Sequence, residues 1–347
     1  MTNKKLLLIR TSALGDVIFT IPLANCLKNN GYSISWLVGE KGIDVVKYNN
    51  CVDECIYVPI QKWGKQNFIK SFIEYIKLIK YIRKQKFDIA IDTQGLLFKS
   101  GIFLLFSGAK RRIICNNARE FAFLCGNEII DKSLFENEQN FVKKNLKYAN
   151  YLGLNENSLK YSLPSPSIEL QKKVEKLLEG IDKSKPIVTI CPATTWIGKH
   201  WDKDNWKNLV AKLEKEYTLI FTGTKKDSEL IEYISGGNGL NLAGKTNLLE
   251  LAEIFRHSML VISLDSGSTH LARATETPKI VSIFCCTPPE MYAPLGSEEK
   301  YIAIVNKNCK HCKKNRCKLK DEKYKCTTSP SVEEVLQAVE NILKEDQ

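Results

Sequence analysis

Short, unbroken apolar runs recur along this chain, each followed by a longer stretch of helical pattern. The runs are KLLLIR (5–10), SISWLV (33–38), ECIYV (54–58) and DIAID (88–92), then PIVTIC (186–191), YTLIFT (217–222), LVISL (260–264) and KIVSIF (279–284). Each is too short for a buried helix and rich in β-branched residues, so each reads as a strand. None alternates apolar with polar residues along its whole length. A strand that is apolar throughout is covered on both faces, which requires a parallel sheet with helices on either side. Helices are expected near 16–30 and 66–85, and at the end over SVEEVLQAVENILKE (331–345), with Ser331 as its cap.

The series stops at a Pro/Ser break, SLPSPS (162–167), and then restarts. Residues 166–182 read as helix and linker. The expectation is an α/β protein of two Rossmann-like, doubly wound parallel-sheet domains, 1–165 and 166–347, facing across a cleft. Ligands of such sheets sit beyond the carboxyl ends of the strands. With 347 residues, 44% hydrophobic and 26% charged, the chain can build two real cores. The longest apolar stretch, GLLFKSGIFLLFSGAK (95–110), is broken by Lys99, so no bilayer span is expected, and the N-terminus has no secretory pattern. Twelve cysteines in such a chain imply reduced thiols in a cytosol. The formal charge of +12 suits an anionic partner, or reflects only a lysine-rich composition. Nucleic acid is not expected, because no recognised nucleic-acid motif accompanies the charge.

The strand ends carry the chemistry. After the first strand, Gly15 and Asp16 open a helix, putting N–H groups and a carboxylate at the rim; Asp16 as a plain N-cap is the alternative. No G-x-G-x-x-G follows, which argues against nicotinamide or flavin. DSGSTHLARA (265–274) follows another strand and sets Asp265, Ser266 and Gly267 at a helix start, an anion cradle or an ordinary capped turn. His270, one turn in, reads equally as a core histidine. TTWIGKHWDKDNW (194–206) places Lys199 where an ammonium can neutralise a leaving phosphate. GTKKDSE (223–229) adds a fourth Gly-led loop, and together the four suit a nucleoside diphosphate.

In this order the motifs resemble the ADP-heptose:lipopolysaccharide heptosyltransferases, glycosyltransferases of GT-B fold, over nearly the whole chain and most closely the type I enzymes. LLLIRTSALGDVIFTIPLANCLK, FDIAIDTQGLLFKSG, NNAREFAF, TTWIGKHWDKDNW and VISLDSGSTHLARA carry the resemblance. It implies inverting transfer of heptose from ADP-L-glycero-β-D-manno-heptose to a Kdo sugar of the lipid A-bearing acceptor, with no cofactor required. Asp16 would be the general base and Lys199 the cation on the departing phosphate. Thr194, Thr195, Gly223, Lys225, Asp265, Ser266, Gly267 and His270 would bind the donor, with Trp196 near the adenine or sugar. Trp201 and Trp206 would instead pack the loop onto the sheet. Gly15, Lys62, Lys65, Gln94 and Arg119 would meet the acceptor. The enzyme would work in the cytoplasm, peripherally at the anionic inner membrane of a Gram-negative bacterium. One departure stands out: type I enzymes carry a ribose-holding glutamate where this chain has Lys225, as type II enzymes do. The alternatives are therefore a type II or III heptosyltransferase or another relative with a different acceptor, and, further off, a non-catalytic sugar-nucleotide or nucleic-acid binding module.

Cys309, Cys312, Cys317 and Cys326 form C-x2-C-x4-C-x8-C in a segment with nine Lys/Arg against two acids between 307 and 325. Four thiolates could hold a structural zinc, although the second pair lacks the C-x-x-C spacing. Reduced structural thiols or disulfides are the other readings.

Overall fold

The computed structural model describes residues 4–155, 160–161, 163–296, 299–320 and 323–344. Ser162 of the Pro/Ser break and Glu345 of the final helix lie outside them. The chain divides into two compact units, Met1–Pro164 and Ser165–Gln347.

The first unit has one six-stranded sheet: β1 (Lys5–Ile9), β2 (Ser33–Gly39), β3 (Glu54–Val58), β4 (Ile89–Asp92), β5 (Arg111–Cys115) and β6 (Glu128–Ile130). Its order is β3-β2-β1-β4-β5-β6 and every pairing is parallel. Leu6, Leu7, Leu8 and Ile9 are all fully buried, as an apolar run covered on both faces must be. Each such side chain contributes about 1.5–3 kcal/mol through burial. The helix expected from Asp16 begins earlier, at Leu14, and runs to Asn29. The long helix is Phe68–Lys84, started by the Asn67 side chain accepting from the Ile69 N–H.

The second unit repeats the plan with β7 (Ile187–Cys191), β8 (Thr218–Phe221), β9 (Leu240–Asn241), β10 (Leu260–Leu264), β11 (Lys279–Phe284) and β12 (Tyr301–Val305). Its order, β12-β11-β10-β7-β8-β9, is the first sheet's order read from the other edge, again all parallel. The linker helix is shorter than expected, Ile168–Leu177. The last helix, Val332–Lys344, buries Val332, Val335, Ala338, Val339 and Ile342 in the core of this unit. Ser331 caps it reciprocally: its hydroxyl accepts from the Glu334 N–H at 3.2 Å, and the Glu334 carboxylate accepts from the Ser331 N–H at 2.9 Å. No helix among the described residues is long and apolar enough to cross a membrane.

In both sheets the strand order switches sides between the first and fourth strands, β1 beside β4 and β7 beside β10, all parallel. Side chains just beyond these strand ends border the natural binding crevice of each unit.

Candidate active site

The first crevice is built by the loops after β1 and β4. Asp16 is not the N-cap; it sits in the first turn of its helix and accepts from the Ala13 N–H at 3.0 Å through Oδ2. Its other oxygen takes the Arg10 guanidinium at 2.8 Å. Arg10, only 13% exposed, also donates to the Thr93 carbonyl, so it fixes the carboxylate against the β4 loop. The carboxylate itself remains 36% exposed, open to a substrate. Gln94 ties the same loops together, its Oε1 accepting from the Thr11 N–H (2.7 Å) and hydroxyl (2.8 Å). Asp92 shapes the turn by accepting from the N–H groups of Gln94 (2.8 Å) and Gly95 (3.0 Å). Full burial holds the Asp92 carboxyl above the ordinary carboxylate value, with those N–H groups acting the other way. Gly39, at the end of β2, must be glycine: a Cβ there would lie 2.6 Å from the Thr11 carbonyl oxygen.

Other residues expected on the acceptor side adjoin these strand ends. Gly15 is in the first helical turn. The Arg119 N–H donates to the Gly95 carbonyl at 2.9 Å, bringing the β5 loop to the β4 loop. Lys62 and Lys65 follow β3; the Lys62 ammonium pairs with Glu74 at 3.2 Å, and Lys65 is exposed.

In the second crevice the loops after β7 and β10 meet directly. Lys199 and Asp265 form a buried ion pair, Nζ to Oδ2 at 2.7 Å, with 15% and 3% exposure. Thr287, beyond β11, donates to the same oxygen at 2.6 Å. The Lys199 ammonium also lies over the rings of Trp196 (4.9 Å) and Tyr292 (5.2 Å). Buried charge of this kind needs such partners. Ser266 N-caps the helix Gly267–Thr275, yet its side chain makes no capping bond, and among the described residues its buried hydroxyl has no hydrogen-bond partner. Thr269 anchors the helix start, bonding Ser263 and donating to the Leu264 carbonyl. His270 is buried within this helix. Thr194 follows β7 and its carbonyl bonds the His200 Nε2 at 2.8 Å; Thr195 is the next residue of that loop. Gly223 and Lys225 follow β8, where the Gly223 carbonyl accepts from the Gly244 N–H. Trp201 and Trp206 are buried against each other edge to face, 5.0 Å apart, and belong to the core as expected.

Sequence reading missed Arg10, Thr287 and Tyr292. The last two lie in CCTPPEMYAP, which shows only prolines and a tyrosine to a reader of spacing.

The cysteine segment closes the back of the Lys199 loop. Burial pushes the Cys286 thiol up to about 12 and Cys326 up to about 11, with Cys309, Cys312 and Cys317 adding to the latter. Among the described residues no group of three His, Cys, Asp or Glu side chains is placed to hold a metal ion.

Two Rossmann-like sheets of one strand order are the plan of the GT-B fold. The chain belongs to glycosyltransferase family 9 (heptosyltransferase), whose sequence model matches residues 75–323. It is therefore a glycosyltransferase. It is 24% identical to lipopolysaccharide heptosyltransferase 1 of Salmonella typhimurium, covering 88% of this chain and 95% of that one. In structure it is similar to a family 9 glycosyl transferase from Veillonella parvula, with TM-score 0.83 and 19% identity over 99% of this chain and 98% of that one. It is also similar to E. coli heptosyltransferase WaaC with ADP, with TM-score 0.72 and 20% identity over 97% and 99%.

Proposed function

We propose that this enzyme transfers L-glycero-D-manno-heptose from ADP-heptose to Kdo of the lipopolysaccharide inner core, with inversion, as a type I heptosyltransferase. The observation that carries the reading is the second crevice. There a buried lysine, a helix N-terminus and the unpartnered Ser266 hydroxyl present donors at the switch point of a Rossmann-like sheet. That donor set fits a diphosphate, and the WaaC structure was obtained with ADP. Thr194, Thr195, Gly223, Lys225, Ser266, Gly267 and His270 then bind the nucleotide and its phosphates. Asp265 orients Lys199 and meets the heptose hydroxyls.

Inversion is a single displacement. Asp16, oriented by Arg10, takes the proton of the acceptor hydroxyl as its oxygen bonds the anomeric carbon. The bond from that carbon to the β-phosphate oxygen breaks, and Lys199 neutralises the charge arriving on ADP. Gly15, Gln94, Lys62, Lys65 and Arg119 hold the acceptor, the cations meeting Kdo carboxylates and lipid phosphates. The helix Phe68–Lys84 supports work at the cytoplasmic face of an anionic inner membrane. It exposes Phe68, Ile69, Phe72 and Ile73 on one stripe, by 79%, 67%, 55% and 48%, beside Lys70, Lys77 and Lys80.

A second reading, type II transfer, is favoured by Lys225, which opens the turn after β8 where type I enzymes carry glutamate. Mass spectrometry after incubation with ADP-heptose and either Kdo-lipid A or the mono-heptosylated acceptor separates the two. Heptose added to Kdo-lipid A supports type I; heptose added only to the second acceptor overturns it.

A further inference from the structure

Three loops of the second unit converge on the Lys199 ammonium. Asp265, after β10, pairs with it at 2.7 Å. Trp196, after β7, presents a ring whose centroid is 4.9 Å from Nζ, and Tyr292, after β11, presents another at 5.2 Å. Each ring has its own backbone anchor. The Trp196 carbonyl accepts from the Lys199 N–H at 3.1 Å, closing the turn Ile197–Lys199. Tyr292 ends the short helix Pro289–Tyr292, where Pro288 and Pro289 restrict the backbone. There the Ala293 N–H donates to the Pro289 carbonyl at 2.7 Å. The β11 loop thus reaches both members of the ion pair: Thr287 donates to the carboxylate, and Tyr292 faces the ammonium.

We infer that Trp196 and Tyr292 are positioning residues for Lys199, holding its ammonium for a diphosphate with ring faces in place of a second carboxylate. An ammonium on a side chain only 15% exposed has lost much of its water and needs other partners. A second carboxylate would serve, but Lys199 and Asp265 already sum to zero charge. One more negative charge would repel an incoming diphosphate. Ring faces attract the cation through their quadrupole and add no net charge. They are also weak acceptors. The ammonium has three N–H donors and Asp265 takes one, so the others remain available to phosphate oxygens, which accept far more strongly than a ring.

What the site requires at both positions is an aromatic face. Without one, the ammonium loses a partner on that side and swings toward Asp265 or toward water, and either movement takes it from the phosphate. A ring stacked on the base would act on adenosine as much as on ADP. A ring that works through Lys199 acts only where a phosphate is present, and only while the ammonium is there. The consequence for ADP rests on the role of Lys199 proposed above; the ring contacts themselves do not.

The test titrates ADP and adenosine by calorimetry into the full chain and its variants. Tyr292→Leu and Trp196→Leu, which each remove a ring, should weaken ADP about three- to thirtyfold, the range of a cation–π contact, and leave adenosine unchanged. Tyr292→Phe and Trp196→Phe, which keep a ring, should retain the ADP affinity. In a Lys199→Met background, Tyr292→Leu should weaken ADP no further, because its effect passes through the ammonium. The proposal is overturned by ADP affinity unchanged in both leucine variants, by equal weakening of ADP and adenosine, or by a ring loss that costs as much without Lys199 as with it. The rings lie on different loops, so if one leucine variant does not fold the other decides. ADP affinity untouched by Lys199→Met alone would remove the phosphate role, and the proposal with it. Ring-dependent ADP binding in a protein that transfers no heptose upholds the positioning and removes the transfer reading; heptose transfer with ring-independent binding does the opposite.

Discussion

Asp16 and Lys199 each stand beside a partner that spacing does not reveal. The strand-end loops could be found because a buried strand followed by Gly, Ser, Asp or Lys is a local pattern. The ion pairs Arg10–Asp16 and Lys199–Asp265 could not, because each joins residues whose side-chain directions are fixed only by the folded loops. Lys199, expected to meet a leaving phosphate, is held by a buried carboxylate and lies over two aromatic faces. In the proposed reaction this makes Lys199 a fixed charge that needs no reordering when the donor arrives. Replacing it with alanine should lower kcat by about 10²–10³ and weaken ADP binding, measured by steady-state kinetics and titration calorimetry. It should also leave Asp265 buried without its cation. Unchanged turnover would remove Lys199 from the mechanism.

Elements were legible where they are long or central. All eight strands read from the sequence are present, including the four central ones that set both switch points. β5, β6, β9 and β12 went unread: β5 opens with two arginines, β6 has three residues and β9 two. The edge strand β6 is tied to β5 partly by charge. Arg111 Nε and Nη2 donate to the two oxygens of Glu128 at 2.8 and 2.6 Å. The Arg111 guanidinium holds the Glu128 carboxyl below its ordinary value of 4.5. Because that pKa is depressed on folding, the pair's contribution is present above pH ~4.5 and fades as pH falls through the folded value. Glu128→Gln should therefore lose about 0.5–1 kcal/mol at neutral pH, the scale of a partly exposed pair. Amide exchange across Glu128–Ile130 should quicken at pH 7, and the difference from the unsubstituted protein should shrink as pH falls through the folded value; a difference that does not shrink in acid would contradict this. In the second unit, Trp206 is fully buried against Trp201. Trp206→Ala should cost about 3–5 kcal/mol, read from chemical denaturation, whereas Trp206→Phe keeps much of the packing.

At the scale of the whole molecule, the apolar, non-alternating strands and the Pro/Ser break made the two-sheet plan readable, and both sheets adopt the same strand order. The cysteine segment stayed opaque, because its geometry comes from tertiary contact and not from periodicity. The charge of +12 and the exposed apolar stripe of Phe68–Lys84 predict binding to vesicles containing anionic lipid. Binding in sedimentation assays should fall as salt rises, and the double change Phe68→Ala with Phe72→Ala should weaken it at every salt concentration. Equal binding to neutral and anionic vesicles would contradict the electrostatic part. The central claim is that Asp16 removes the acceptor proton in a heptosyl transfer. Single-turnover transfer from ADP-heptose to Kdo-lipid A, run beside donor-binding calorimetry on the intact protein and on Asp16→Asn, tests it most directly. The account predicts product from the intact protein, a rate lowered by about 10²–10⁴ in the variant, and ADP-heptose affinity unchanged. Transfer at an undiminished rate by Asp16→Asn would contradict it.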